Sequence, residues 1–216
     1  MINRKGSHRL HLAIEGIDGA GKSTALLNTR LILEDLGLSV SAVHYTQKSG
    51  FIGKAITRIY RPDINNSAIR MVRDYRPLQA LMYGANGRCN LNSRQRGTDV
   101  LLTDRSILSG YASHVGRIPM WLVSVAESTY APDVVAYLDL PIEEASIRIH
   151  RREEGEIGYE ESLEELKKFR DDYETVIKNP PHRLKNTVIE RVDAFQEPLL
   201  IAREVARIAI ENIIFI

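Results

Sequence analysis

The stretch Glu15-Gly16-Ile17-Asp18-Gly19-Ala20-Gly21-Lys22-Ser23-Thr24 restricts the folds open to this chain more than any other feature. Residues 16–23 meet the pattern G-x-x-x-x-G-K-[ST] at every position. LHLAIE (10–15) precedes it and reads as a buried strand; TALLNTRLILEDLG (24–37) follows and reads as a helix closed by Gly37. A strand that turns through glycines into a helix gathers backbone N–H groups and a helix N-terminus around one point, and that point favours phosphate charge. On this reading Gly16, Gly19, Ala20 and Gly21 build the cradle. Lys22 reaches the β- and γ-phosphates of a nucleotide, and Ser23 helps to hold Mg²⁺. A merely structural glycine turn would leave the adjoining Lys and Ser unexplained. Thr24 either contacts phosphate or satisfies the helix start. Asp18 either makes a local backbone hydrogen bond or meets an acceptor or a bound water.

Short apolar runs recur downstream at 40–45, 99–104, 134–139 and 186–193 and read as further strands. Helical patterns separate them at 52–60, 78–96, 141–152, 159–177 and 198–213, and ILSGYASHVG (107–116) and MWLVSVAEST (120–129) read as loop-to-helix segments. Gly84 and Gly87 interrupt the 78–96 pattern and mark close packing or ligand approach. The alternation predicts an α/β fold, a largely parallel five-stranded sheet covered by helices on both faces. The 216 residues, 44% hydrophobic, suit one domain, with a mobile lid at about residues 148–160. A net charge of +1 and 6% aromatic residues argue against nucleic-acid or membrane partners. The single cysteine, Cys89, excludes an internal disulfide framework and fits a reducing, cytoplasmic setting. The apolar part of the N-terminal segment is too short for a signal peptide, and no stretch reaches the length of a membrane span.

Two more segments carry candidate chemistry. Asp104-Arg105 ends a strand, at the edge where open α/β sheets place their sites. Asp104 there holds magnesium through water or assists the acceptor, and Arg105 pairs with a phosphate in bidentate fashion, unless the two form a surface pair that caps the next helix. Ser106 and Ser109 are weaker candidates, because serines often cap helices. In RIHRR, Arg148 and Arg152 share a helix face and Arg151 joins its edge. They form either a lid that places positive charge on a transferred phosphoryl group or a solvated helix end paired with nearby glutamates. His150 reads as an exposed helix residue, and His8 and His11 form no zinc pattern. Tyr111, Trp121 and Tyr137 read as core or rim.

Taken together, these motifs resemble the thymidylate kinase family of P-loop nucleoside monophosphate kinases across nearly the whole chain. EGIDGAGKST looks like that family's donor loop. DRSILSGYAS (104–113) is similar to its DR-x-x-x-S-x-x-A segment, and APDVVAYLDLPIEEASIRI (131–149) to its PDLxxxLDxPxExAxxRI region. VDA (192–194) resembles the short motif near adenine, which implies that Asp193 and Ala194 help to bind ATP. The resemblance implies the three-layer P-loop NTPase fold, with ATP and Mg²⁺ as cofactors and a nucleotide or nucleoside as acceptor. It further implies a homodimer. It places Asp18 near the acceptor sugar or phosphate and Arg105 on the acceptor phosphate. It implies that Tyr83 stacks on thymine, that Tyr159 lies near the sugar, and that arginines around Arg148, Arg151 and Arg152 clamp the transferring group. Ser109 is the serine of the DR segment.

The departures from the family pattern all fall on the acceptor side. Thr46-Gln47-Lys48-Ser49-Gly50 stands where the family has T-R-E-P-G, so the acceptor-side arginine becomes Gln47. Gly87 stands where an F-x-x-x-R pattern would put a base-reading arginine; Arg88 follows one residue later, about 100° round a helix. Ser106 replaces a tyrosine. The expected reaction is transfer from ATP to dTMP. Its competitors are a deoxynucleoside or other small-molecule kinase, with Glu15 as the best candidate base, and a nucleotide-binding relative with weak or no turnover.

Overall fold

The computed structural model describes residues 8–45, 50–59, 75–92, 97–126, 131–152 and 162–213. Its first strand, β1 (His8–Glu15), is buried from Leu10 to Glu15. A strand buried on both faces must sit inside a sheet covered on both sides. The other strands are β2 (Val40–His44), β3 (Thr98–Asp104), β4 (Val134–Asp139) and β5 (Val188–Asp193). All pair in parallel, in the order β2-β3-β1-β4-β5. The connection after β1 runs toward β2 and the one after β3 runs the other way toward β4, so the crevice opens between the C-terminal ends of β1 and β3. The edge strand β5 is half exposed and carries Glu190 and Arg191, whose charges discourage pairing with another chain.

The helices are α1 (Lys22–Asp35), α2 (Gly50–Ile59), α3 (Arg76–Asn92), α4 (Ile107–His114), α5 (Met120–Ala126), α6 (Ile142–Arg152), α7 (Leu163–Lys178) and α8 (Pro198–Ile213). They cover both faces of the sheet. α1 and α8 pack on one another and on the strands, while α3, α4, α5 and α7 form a second connected group. The element order matches the expectation, and the boundaries move by a few residues. α1 begins at Lys22 rather than Thr24, because Gly21 makes the turn in the left-handed region and frees the next residue to be helical. Pro141 stands just before α6, where its carbonyl accepts the Ala145 N–H at 3.0 Å. α7 begins at Leu163, fixed by its N-cap Ser162, whose hydroxyl accepts the Glu165 N–H and donates to the Glu165 carboxylate.

Tyr111 and Tyr137 lie in the core, whereas Trp121 is 68% exposed. His11 is a buried strand residue whose Nε2 meets Thr103 Oγ1 at 3.2 Å. Among the described residues no group of three or more His, Cys, Asp or Glu side chains is placed to hold a metal ion, and no helix is long and apolar enough to cross a membrane.

The glycine at 87 has a packing reason. The Tyr45 ring, 2% exposed, lies so close to Gly87 that a methyl group there would overlap it. Asn90 Nδ2 holds the Tyr45 carbonyl at 3.0 Å and keeps that approach in place. Gly87→Ala is expected to cost about 1–3 kcal/mol by overpacking. Thermal or denaturant unfolding checks this, and the cost should shrink in a Tyr45→Leu background, where the ring is gone.

Candidate functional site

The glycine loop leads into α1 without a side-chain cap. Gly21, at φ 88°, is the N-cap; no side chain satisfies the first turn, and that turn holds no acidic residue. α4 and α7 differ, since Ser106 and Ser162 cap them through their hydroxyls. The first N–H groups of α1 and the positive end of its dipole are therefore directed at the loop. Thr24 is exposed and is the third residue of the helix, so the helix start does not rely on it. The loop presses directly on α6: a Cβ on Gly19 would come within 2.5 Å of the Ala145 carbonyl oxygen. Any side chain there would force the loop and α6 apart.

Lys22 is buried under the loop. Its ammonium donates to the Ile17 carbonyl at 2.8 Å and lies 3.4 Å from Asp18. Burial, with Arg105 nearby, lowers its pKa to about 8, against the pull of Asp18 and Asp104. Asp18 is opposed by burial too, but Arg105 and Lys22 outweigh it and hold the carboxyl below its ordinary range.

Ser23 and Asp104 come together from opposite ends of the motif set. The serine hydroxyl donates to Asp104 Oδ2 at 2.7 Å, and His44 Nδ1 lies 3.0 Å from the same oxygen. A hydroxyl and a carboxylate beside a phosphate cradle are hard oxygen donors of the kind Mg²⁺ takes, alongside phosphate oxygens and waters. The donor set therefore fits that ion.

Arg105 is the one non-glycine residue with positive φ among those described, at 69°. Its N–H extends the β1–β3 ladder to the Ile14 carbonyl at 3.0 Å, and the left-handed turn then throws its side chain across the end of β1. There the guanidinium bonds Asp18 through Nη2 and the Tyr173 hydroxyl through Nη1 at 3.3 Å, and lies 5.7 Å from the centre of the Phe169 ring. Asp18 thus touches both Lys22 and Arg105, linking the donor loop to the arginine after β3.

Glu15 turns out to be a brace rather than an available base. It is fully buried and accepts bonds from the Ser106 N–H and hydroxyl at 2.7 Å each, from the Ser109 N–H at 3.3 Å and from the Tyr173 hydroxyl at 2.8 Å. Burial raises its pKa, opposed by Arg105 and by these donors. Ser109, expected on the substrate side, is buried as well. Its hydroxyl donates to the Ser106 carbonyl at 2.8 Å, which ties it to the start of α4.

The other candidates are spread round this centre. Tyr83 is half-buried on α3, one turn before Gly87, and Arg88 is exposed. Asp193 ends β5; its carboxylate accepts the Phe195 N–H at 2.9 Å, and the buried Ala194 donates its N–H to the Asp139 carbonyl at 3.0 Å. Both lie at the same sheet edge as the loop. Arg148 pairs with Glu144 on its own helix at 2.9 Å, and Arg151 is exposed. Gln47, Lys48, Tyr159 and the side chain of Arg152 lie outside the described residues, as does most of the expected lid. Three site neighbours escaped the sequence reading. His44 was detectable, because it ends a strand at the same edge as Asp104. Phe169 and Tyr173 were not, since in sequence they are only apolar members of a charged helix.

A parallel sheet whose central strand runs through a glycine loop into an uncapped helix, with a serine and a strand-end aspartate beside it, defines a P-loop nucleotide-handling protein. Residues 14–196 match the family model described as thymidylate kinase. Relatives include a probable thymidylate kinase of Methanobrevibacter smithii, 27% identical over 176 residues that span 81% of this chain and 84% of the relative. Probable thymidylate kinase 1 of Saccharolobus solfataricus is 29% identical, over 75% of this chain and 80% of its own. The thymidylate kinase of Legionella pneumophila is 27% identical, over 87% and 91%. This chain belongs to the thymidylate kinase family.

The pKa of Lys22 has a measurable consequence. Bound phosphate favours the charged ammonium, so affinity is highest where Lys22 is protonated and falls as pH rises through about 8. Nucleotide affinity is expected to drop up to about tenfold between pH 7 and pH 9, with proton uptake on binding near the midpoint. Calorimetry in buffers of different ionisation enthalpy checks this. Lys22→Arg, always charged, should abolish the proton uptake.

Proposed function

We propose that this protein transfers the γ-phosphoryl group of ATP to dTMP, giving ADP and dTDP. The observation that carries the reading is the bridge made by Asp18 between Lys22 of the phosphate loop and Arg105 after β3. One carboxylate ties the donor-side cation to the acceptor-side cation, so the two phosphates would meet across it. Family membership supplies the acceptor class.

The acceptor is already anionic at neutral pH, so the reaction needs no strong base. That agrees with Glu15 being committed to four hydrogen bonds. Catalysis then rests on alignment and preorganised positive charge. The α1 N-terminus and loop N–H groups hold the donor phosphates, and Lys22 stabilises charge on the β- and γ-oxygens. Ser23 and Asp104 would hold Mg²⁺, which when bound neutralises phosphate charge. Arg105 aligns the acceptor phosphate, with Asp18 beside it. Tyr83 takes the base and Tyr159 the sugar, Arg88 is assigned to the acceptor as well, and one or more of Arg148, Arg151 and Arg152 completes the clamp. Asp193 and Ala194 border the adenine. A homodimer and a cytoplasmic location complete the reading, the first testable by sedimentation.

Incubation with Mg-ATP and a panel of nucleosides and monophosphates, with ADP formation measured, tests this. dTMP is expected to turn over, and thymidine to give no more than background. Turnover confined to unphosphorylated nucleosides would sink the reading; ATP binding with no turnover on any acceptor would favour a regulator. Lys22→Ala is expected to lower kcat by about 10²-fold or more.

A further inference from the structure

α7 contributes two side chains to the site, and neither belongs to the phosphate motifs. Phe169 and Tyr173 lie four residues apart, so one face of the helix presents both. Phe169 offers its ring to the Arg105 guanidinium. Tyr173 is fully buried, its ring packed 4.8 Å from Phe169 and 5.3 Å from Tyr137, so it has no room to turn. Its hydroxyl proton goes to Glu15 Oε2 at 2.8 Å, which leaves an oxygen lone pair to accept from Arg105 Nη1 at 3.3 Å. Arg105 is therefore held on three sides, by Asp18, by the Tyr173 hydroxyl and by the Phe169 ring.

We infer that Tyr173 is a positioning residue for the acceptor phosphate: its hydroxyl, oriented by Glu15, holds the Arg105 guanidinium in the pose that meets the acceptor. The inference rests on the reading of Arg105 as the acceptor-phosphate ligand. A free arginine side chain samples many rotamers, and each contact that removes them lowers the cost of binding a planar anion. α7 is itself anchored, by Arg170 to Asp139 at the end of β4 at 2.7 Å and by Asp172 to Arg117 after α4 at 2.9 Å. The position of this helix is thus transmitted to Arg105 through the Tyr173 hydroxyl and the Phe169 ring. Among the described residues the hydrogen bond from this set to Lys22 is the one through Asp18, and removing a neutral hydroxyl leaves every charge near Lys22 in place, so the effect belongs to the acceptor and not to ATP.

Tyr173→Phe keeps the ring and removes the hydroxyl. In the full chain it is expected to raise the KM for dTMP about five- to tenfold and to leave the KM for ATP within about twofold. Val176→Ala, also buried on α7, is the control: it should lower the melting temperature and leave both KM values unchanged. Side-chain ¹⁵N NMR of Arg105 should show its guanidinium signals shifted or broadened in Tyr173→Phe and unaltered in Val176→Ala. An unchanged acceptor KM, equal rises in both KM values, or the same split in Val176→Ala would overturn the inference. If the wild type uses a different monophosphate, the same split is read with that acceptor. If it turns over none, the proposed function fails, and the NMR signal alone decides: no change in Tyr173→Phe removes the positioning role, and a change supports it.

Discussion

A carboxylate with no access to water sits at the end of the central strand, and much of the site is arranged around it. An unpaired buried carboxylate costs several kcal/mol, so Glu15 must be surrounded by donors. Those donors come from the turn after β3 and from α7, segments far apart in sequence. Satisfying one side chain therefore sets the start of α4 and docks α7 on the sheet edge. It also fixes where Arg105 stands, because Arg105 immediately precedes the serine that Glu15 grips. The left-handed backbone at Arg105 persists because its own N–H is held by the Ile14 carbonyl and the next residue, Ser106, is held by Glu15.

Around that brace, positive and negative groups alternate. Glu15 faces the Arg105 surroundings, Arg105 bonds Asp18, and Asp18 reaches Lys22. Each ion is buried or partly so, and each is offset by the next. The array holds its cations beside the phosphate loop while keeping the net charge of the knot near zero. That is how a buried site can keep an arginine and a lysine close together, although Arg105 lowers the proton affinity of Lys22.

Two of the three acceptor-side departures acquire physical reasons in this setting. Ser106, where the family pattern has a tyrosine, caps α4 and gives Glu15 two of its four hydrogen bonds. Gly87, where a base-reading arginine was expected, is the space into which Tyr45 packs. Both changes are built into the local packing, so neither position is an isolated loss.

Much was legible in the amino-acid order. The glycine loop, the alternation of apolar runs with helical patterns and the strand-end Asp-Arg pair were enough for the parallel sheet and its donor-phosphate corner. Local rules govern those features: glycine at forced turns, apolar period, and charge at strand ends. Ser109 and Glu15 kept two readings each in the sequence, because a serine or glutamate near a motif looks the same whether it meets a ligand or a neighbouring helix. Only burial and bonding partners distinguish the two. Tyr173 and Phe169 carried no signal, since their importance arises from being brought against Arg105 across more than sixty residues of chain. Sequence alone determined where phosphate charge is welcome, because helix ends and glycine loops are local. The tertiary structure decided which side chains are free to act there and which hold others in place, because that depends on how the buried charges pair.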